Sequence, residues 1–378
     1  MNAQPVARAA AIIDLGAIER NCARLASVLT GGAELCAVVK ADGYGHGAVE
    51  CARAALAGGA TCLAVATAVE ATQLRAQLAH ARLLVLGALT PAELDAALAA
   101  GAEIAVWRNG FFDLVVVRAR HLRVRPRVHV KYDTGMGRLG APDGDAVEQL
   151  VRAAGGSDAV ELAGLWTHFA TADEDDSSYL DEQLARFTEI ALPLREEFEG
   201  LVLHAANSAA TLRLASSHFD LVRCGVAIYG LDPFGRDPST QALEPALELR
   251  SYVADIKPVE AGASVGYGRR WKAQEPTRVG VLPIGYGDGV RRGLTNNADV
   301  LVGGRRQPLV GTVSMDNITV DLGSAPEIEP GAAAVLIGAQ GQERVLCEEL
   351  AQRLDTINYE ITCALSARVP REYVGGTP

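Results

Sequence analysis

Between residues 35 and 229 this chain of 378 residues repeats one theme: a short apolar run followed by an alanine-rich segment with apolar positions at helical spacing. Strands buried on both faces read as continuous apolar runs, so the alternation is that of parallel strands covered by helices. Eight runs are discernible, at 35–40, 62–66, 83–86, 104–106, 127–132, 160–167, 201–205 and 221–223. Eight β/α units close naturally into a barrel, whereas a doubly wound sheet leaves edges and usually has fewer strands. The expectation is an α/β chain with an eight-stranded (β/α)8 TIM-type barrel over residues 9–238. Residues 232–245 are polar and proline-containing, as a linker would be, and residues 247–253 then alternate in strand fashion. Punctuation at Pro258, Gly262, Pro276, Pro283, Gly303-Gly304 and Gly311 continues that texture, so 239–378 is predicted to be a mainly β domain.

Composition narrows the function classes. With 49% of residues apolar and 21% charged, a large core is expected and bulk disorder is excluded. A net charge of -11 and no basic run argue against nucleic acid, while leaving room for a local basic pocket holding one phosphate. Seven dispersed cysteines, at 22, 36, 51, 62, 224, 347 and 363, contain no Cys-x-x-Cys pair, so neither a disulfide framework nor a zinc site is suggested. The histidines are not at ligand spacing, and no metal is implied. The N-terminus shows no signal peptide, and the uncharged stretch between Arg53 and Glu70 is short, alanine-rich and interrupted by Gly58-Gly59. A cytoplasmic protein without membrane association is expected.

The first apolar run ends in Val38-Val39-Lys40-Ala41-Asp42-Gly43-Tyr44-Gly45-His46-Gly47. A lysine at a strand mouth is a candidate nucleophile, because desolvation lowers its pKa and the free amine condenses with an aldehyde; the alternative is a strand-end lysine reaching into water. Other chemistry-bearing residues fall at the same ends of their strands: Arg138 after the fifth run, His168 past the sixth, His204 ending the seventh and Arg223 ending the eighth. Barrel active sites occupy that rim, and phosphate commonly binds in the loops after strands seven and eight, which here contain Ser208 and Gly225-Val226.

The lysine segment resembles the pyridoxal-phosphate attachment segment of alanine racemases, and the resemblance spans nearly the whole chain. His129-Val130-Lys131-Tyr132-Asp133-Thr134-Gly135-Met136-Gly137-Arg138 is similar to that family's second signature. Thr167-His168-Phe169, His204-Ala205-Ala206-Asn207-Ser208, Val222-Arg223-Cys224-Gly225-Val226, Gly266-Tyr267-Gly268, Ile284-Gly285-Tyr286-Gly287-Asp288, Ser314-Met315-Asp316 and Asn358-Tyr359-Glu360 follow in the family's order. Gly43 and Gly287 stand where alanine is frequent, and both keep the position small.

The resemblance implies a fold type III enzyme that uses pyridoxal 5'-phosphate to interconvert L- and D-alanine, with residues 1–8 packing against the C-terminal domain. Lys40 would hold the cofactor and serve as base on one face of the α-carbon; Tyr267, from the partner subunit of a homodimer, would serve on the other. An ordinary phenol titrates near about 10, so cationic or hydrogen-bonding neighbours must lower it, and His168 and Arg223 are the implied relay. The cofactor phosphate would meet Tyr44, Ser208, Gly225, Val226 and Tyr359, with Leu86 and Asn207 also at the cofactor and His204 against its ring. Arg138 would reach the cofactor's phenolic oxygen and the substrate carboxylate, with Met315 and Tyr286 at the substrate. Lys131, carbamylated in many relatives, would brace Arg138, and Asp173, Arg292 and Asp316 would support the entrance. D-alanine from such enzymes supplies bacterial peptidoglycan.

Arg223 bears on reaction type. A guanidinium only donates, so it leaves the pyridine nitrogen unprotonated and weakens the electron sink; the carbanion is then reprotonated quickly, which favours racemisation. Other readings remain at this stage: a broad-specificity or serine racemase, an amino-acid decarboxylase, which would call for an acidic group in place of Arg223, and a non-catalytic pyridoxal-phosphate-binding protein resembling only the barrel half.

Overall fold

A computed structural model describes residues 7–324 and 327–377. The described residues form two compact units: Ile18–Gly43 with Ala48–Ile228, and residues 7–17 with Tyr44–Gly47 and the described residues from Tyr229 onward.

The first unit is the expected barrel. Its strands are Glu34–Val38, Cys62–Val65, Leu83–Val85, Glu103–Val106, Arg127–Lys131, Glu161–Trp166, Val202–His204 and Leu221–Cys224. Each pairs in parallel with the next up to the seventh, and the first pairs with the eighth. No ladder joins the seventh and eighth. That seam is closed instead by single bonds: Asp220 N donates to Leu203 O (3.0 Å), Arg223 N donates to Ala206 O (2.9 Å), and the Asp220 carboxylate accepts from Leu203 N (2.8 Å). Strand residues are buried almost throughout, as they must be when helices cover the outside and side chains fill the interior. The helices start where sequence chemistry says they should. Thr67 with Glu70, and Thr90 with Glu93, form reciprocal capping boxes, the second with Pro91 at the first helical position.

The second unit is mainly β. A seven-stranded sheet runs in the order Arg305–Pro308, Asp299–Val302, Ala333–Gln340, Leu247–Tyr252, Ala10–Asp14, Arg371–Val374, with Glu343–Val345 attached to Ala333–Gln340. A three-stranded sheet joins Asp255–Val259, Thr277–Leu282 and Ile318–Gly323. Strand Ala10–Asp14, which an assignment of 9–238 to the barrel takes in, belongs to this sheet: it is antiparallel to Leu247–Tyr252 and parallel to Arg371–Val374. Alternation over five residues was too short to announce a strand, and its partners lie more than 230 positions away in the chain. Of residues 1–8, expected to pack here, the first six lie outside the described residues; Arg8 O accepts from Ser251 Oγ (2.8 Å). Among the described residues no helix is long and apolar enough to cross a membrane.

Ile13 is fully buried in that N-terminal strand. Ile13→Ala should cost about 2–5 kcal/mol of stability in urea unfolding. Amides of Leu247–Tyr252 should lose hydrogen-exchange protection while those of Glu34–Val38 keep it.

Candidate active site

The backbone leaves its ordinary range just after Lys40. Val39 N still pairs with Ala64 O (2.9 Å), but Ala41, Asp42, Gly43 and Tyr44 then take φ of 52°, 53°, 61° and 53°. Each non-glycine residue in this left-handed region costs roughly 1–2 kcal/mol, so the turn needs external support. It comes from Glu70: one carboxylate oxygen accepts from Ala41 N (2.7 Å), the other from Ala66 N (2.8 Å) and Thr67 N (3.0 Å). One side chain thus ties the tops of the first two strands together and seats Lys40, which is half-buried. Sequence reading missed Glu70, although the Thr-x-x-Glu capping signature at 67–70 was present.

The other barrel candidates gather at the same rim. Arg223 is buried, and its Nη1 donates to His204 Nδ1 (3.0 Å) while Nη2 donates to Thr167 O (2.7 Å) and Ala205 O (3.0 Å), with His168 Nδ1 at 3.4 Å. Burial lowers its pKa to about 10, which still leaves a permanent donor at neutral pH. Lys131 is buried, and both its ammonium and the Arg223 guanidinium lie 4.7 Å from the centre of the Trp166 ring. Burial, followed by the charges of Arg138 and Arg223, lowers the Lys131 amine to about 8. Burial and the same two arginines hold His168 well below the ordinary imidazole range. The Asp133 carboxylate is occupied locally, accepting from the backbone N–H groups of Gly135, Gly137 and Arg138 (3.1 Å each). The Arg138 side chain is exposed, as is Asp173, and Leu86 is half-buried at the end of the third strand.

In the loops after strands seven and eight, Ser208 Oγ accepts from Gly225 N (3.0 Å) and Ala227 N (3.4 Å), which draws the hydroxyl and the Gly225-Val226 backbone together. Asn207 caps the helix Ser208–Arg213 by accepting from Ala210 N (3.0 Å). Lys40, Lys131, Arg138 and Arg223 all act electrostatically on His168. Cationic donors in such density, beside a serine and a glycine turn, suit an anionic phosphate and a phenolic oxygen, and so fit pyridoxal phosphate.

The His204 ring is buried at the end of the seventh strand and engaged on both edges. Both ring nitrogens are engaged, Nε2 with His129 Nδ1 (3.0 Å) and Nδ1 with Arg223, and the ring stacks on Trp166 with centroids 5.5 Å apart. Behind it His129 Nε2 donates to Glu103 (2.6 Å), which also accepts from Arg82 (2.7 Å) and Arg127 (2.7 Å). Glu103 and His129 were not singled out from sequence; the available signal was the alternation that puts His129 and Lys131 on one face of their strand.

The remaining candidates lie in the second unit. Tyr44 packs near Tyr359 and Tyr229, with ring centroids 5.9 and 5.2 Å away. Tyr267 is 73% exposed, yet its backbone is pinned: Gly266 and Gly268 take φ of 77° and 72°, and Thr312 Oγ1 donates to Tyr267 O (2.7 Å). Tyr286 and Met315 are brought side by side by Tyr286 N donating to Ser314 O and Gly287 N donating to Met315 O (2.9 Å each). That approach requires glycine, since a Cβ at Gly285 would lie 2.3 Å from Ser314 O. Asp316 pairs with Arg368 at 2.5 Å, and Arg292 is exposed in a short turn.

Comparison with known proteins gives one answer along the whole chain. Residues 13–233 match the family "Alanine racemase, N-terminal domain" and residues 246–373 match "Alanine racemase, C-terminal domain". Alanine racemase 1 of Bacillus subtilis is 40% identical over 366 residues, covering 96% of this chain and 92% of that protein. The alanine racemase of Beutenbergia cavernae is 42% identical over 373 residues, covering 97% and 98%. Among solved structures, alanine racemase from D-cycloserine-producing Streptomyces lavendulae superposes with a TM-score of 0.93 at 36% identity, covering 99% of both chains. That from Streptomyces coelicolor gives 0.92 at 40% identity, covering 98% of both.

Two outcomes follow from the site's geometry. Glu70→Ala strips the acceptor from three backbone N–H groups, so stability should fall by about 1–3 kcal/mol and kcat by up to about a hundredfold. Adding Ala41→Gly, which relaxes the left-handed turn, should recover about 1 kcal/mol of that stability. In cofactor-free protein with ¹³C-methylated lysines, the Lys131 resonance should titrate with a midpoint of about 8, cationic below and neutral above.

Proposed function

The chain belongs to the alanine racemase family and interconverts L- and D-alanine, and from that premise we propose that Lys40 and Tyr267 are the two bases of the reaction, working in a homodimer on pyridoxal phosphate. The cofactor, joined to Lys40, supplies the conjugation that makes an α-proton of alanine removable. Ser208, the Gly225-Val226 backbone, Tyr44 and Tyr359 hold its phosphate, Arg223 donates to its ring nitrogen, and Arg138 donates to its phenolic oxygen. Leu86, Asn207 and His168 complete its surroundings.

The observation that carries this reading is the buried Arg223. None of its hydrogen bonds goes to a carboxylate, and its Nε–H and one Nη1–H have no partner among the described residues. A donor so presented binds a ring nitrogen without protonating it, which suits reversible proton exchange at one carbon over other outcomes. Lys40 takes or returns the α-proton on one face of the substrate. On the opposite face the same work falls to Tyr267 of a second copy; its exposed phenol on a pinned turn supports delivery across an interface. Arg138 and Met315 orient the substrate carboxylate, and Tyr286 narrows the pocket to a methyl side chain. Lys131, which titrates at about 8, has neutral amine available for carbamylation, after which it pairs with Arg138. Asp173, Arg292 and Asp316 shape the entrance. The enzyme works in the cytoplasm and feeds peptidoglycan synthesis.

Hybrid dimers test this reading. Lys40→Ala and Tyr267→Phe chains should each lose racemisation by at least about a hundredfold. Mixed one to one and reassociated, they should regain about a quarter of wild-type activity, because half the dimers are hybrids with one of two sites intact. Mixtures no more active than their components would overturn the shared site, and a fully active Tyr267→Phe enzyme would overturn the two-base assignment.

A further inference from the structure

A file of hydrogen bonds crosses the barrel interior from the start of the fourth strand to the end of the eighth. Glu103 Oε2 accepts from His129 Nε2 (2.6 Å), His129 Nδ1 meets His204 Nε2 (3.0 Å), and His204 Nδ1 meets Arg223 Nη1 (3.0 Å). The two ends dictate which way every proton points. Arg223 has no lone pair to offer, so His204 Nδ1 is bare and the proton of that ring sits on Nε2. That proton is donated to His129 Nδ1, which leaves the His129 proton on Nε2, facing a carboxylate that only accepts.

Charge states agree with this direction. Burial would raise the Glu103 carboxyl, but hydrogen bonds from His129 and Arg82 hold it down at about 2. Burial keeps His129 neutral against the pull of Glu103, and burial with the Arg223 charge does the same for His204. The charged groups around the carboxylate are Arg82 and Arg127, themselves paired outward to Glu34 (3.7 Å) and Glu161 (3.0 Å). Packing serves the same file. Gly164 is the register neighbour of His129 on the next strand, and a Cβ there would lie 2.3 Å from His129 Nδ1. The glycine is a slot for the imidazole.

We propose that Glu103 is a positioning residue for Arg223: acting through His129 and His204, its carboxylate locks both imidazoles as Nε2–H tautomers and so secures an acceptor at Arg223 Nη1. With the file reversed, His204 would turn an N–H against the N–H of Arg223, donor against donor, and the guanidinium would have to move. With the file intact, the guanidinium plane is held by His204 and two backbone carbonyls, and its Nε–H and second Nη1–H stay aimed outward. The functional consequence rests on the reading that Arg223 meets the cofactor's ring nitrogen.

Histidine ¹⁵N spectra of the cofactor-free protein read the tautomers directly, independently of turnover. His129 and His204 should both appear as neutral Nε2–H rings throughout the neutral pH range. Glu103→Gln offers an amide that can donate or accept, so it should admit the reversed file and show His204 partly as the Nδ1–H tautomer; Gly164→Ala should do the same by crowding His129, and Glu103→Asp should restore the wild-type pattern. In holoenzyme both disruptive variants should shift the pH midpoint of the cofactor's visible band by about one unit and lower kcat about tenfold with KM for alanine nearly constant. Arg127→Gln, which removes the ion pair to Glu103 Oε1 and leaves the His129 bond to Glu103 Oε2 in place, should lower stability and leave tautomers and band alone. Wild-type His204 found as Nδ1–H or as imidazolium, or tautomers unmoved by both Glu103→Gln and Gly164→Ala, would overturn the proposal. Tautomers that shift while band and turnover stay put would support the positioning and overturn the contact between Arg223 and the ring nitrogen instead.

Discussion

Arg223 buries a guanidinium that has no carboxylate partner among the described residues, and much of the barrel's polar interior is organised around that cation. A buried charge is tolerable only when its donors are met, and here one imidazole and two backbone carbonyls meet them. The carbonyls, of Thr167 and Ala205, belong to residues just past the sixth and seventh strands, so the arginine also braces the part of the barrel where no ladder joins strands seven and eight. The compensating anion sits two histidines away, at Glu103. Separating the pair this way keeps an anion from the rim while still giving the buried cation a polarised path to negative charge.

The rim is accordingly rich in cations, and its carboxylates Glu70 and Asp133 are turned onto backbone N–H groups. Burial and the charges of Arg138, Arg223 and Lys40 lower the affinity of Lys131 for protons, burial and these cations together with Lys131 lower that of His168, and Asp133 is consumed by its own loop's N–H groups. Such an arrangement is unfavourable by itself and favourable around a phosphate with a phenolic oxygen. Strain belongs to the same pattern. The left-handed turn after Lys40 costs conformational energy that Glu70 offsets, and the result is a lysine whose backbone is held at a defined place on the rim.

The strand pattern was legible because parallel barrel strands are buried on both faces and leave unbroken apolar runs; all eight appear where those runs lie, with ends differing by one or two residues. The first run stops at Val38 because the left-handed turn begins three residues later, at Ala41, a feature that hydrophobicity does not encode. Motif residues such as Lys40, Arg138, Arg223 and Tyr267 were legible through resemblance, since their neighbours occur in one order. Glu103 was not, because an acidic residue ahead of an apolar run looks like a solvated strand start until the barrel closes around it. Gly164 reads as an unremarkable strand glycine until register sets it against His129.

The order of residues along the chain by itself determined a β/α-repeating barrel, a β-rich remainder and the identities of the lysine, arginine and tyrosine available for chemistry, since period and local composition are properties of neighbours in sequence. Tertiary structure alone decided that Ala10–Asp14 joins a sheet with Leu247–Tyr252 and Arg371–Val374, that Glu70 supports the turn carrying Lys40, and that Glu103, His129, His204 and Arg223 form one file. These are contacts between residues tens to hundreds of positions apart, created by strand register and barrel closure, and no local pattern carries that information.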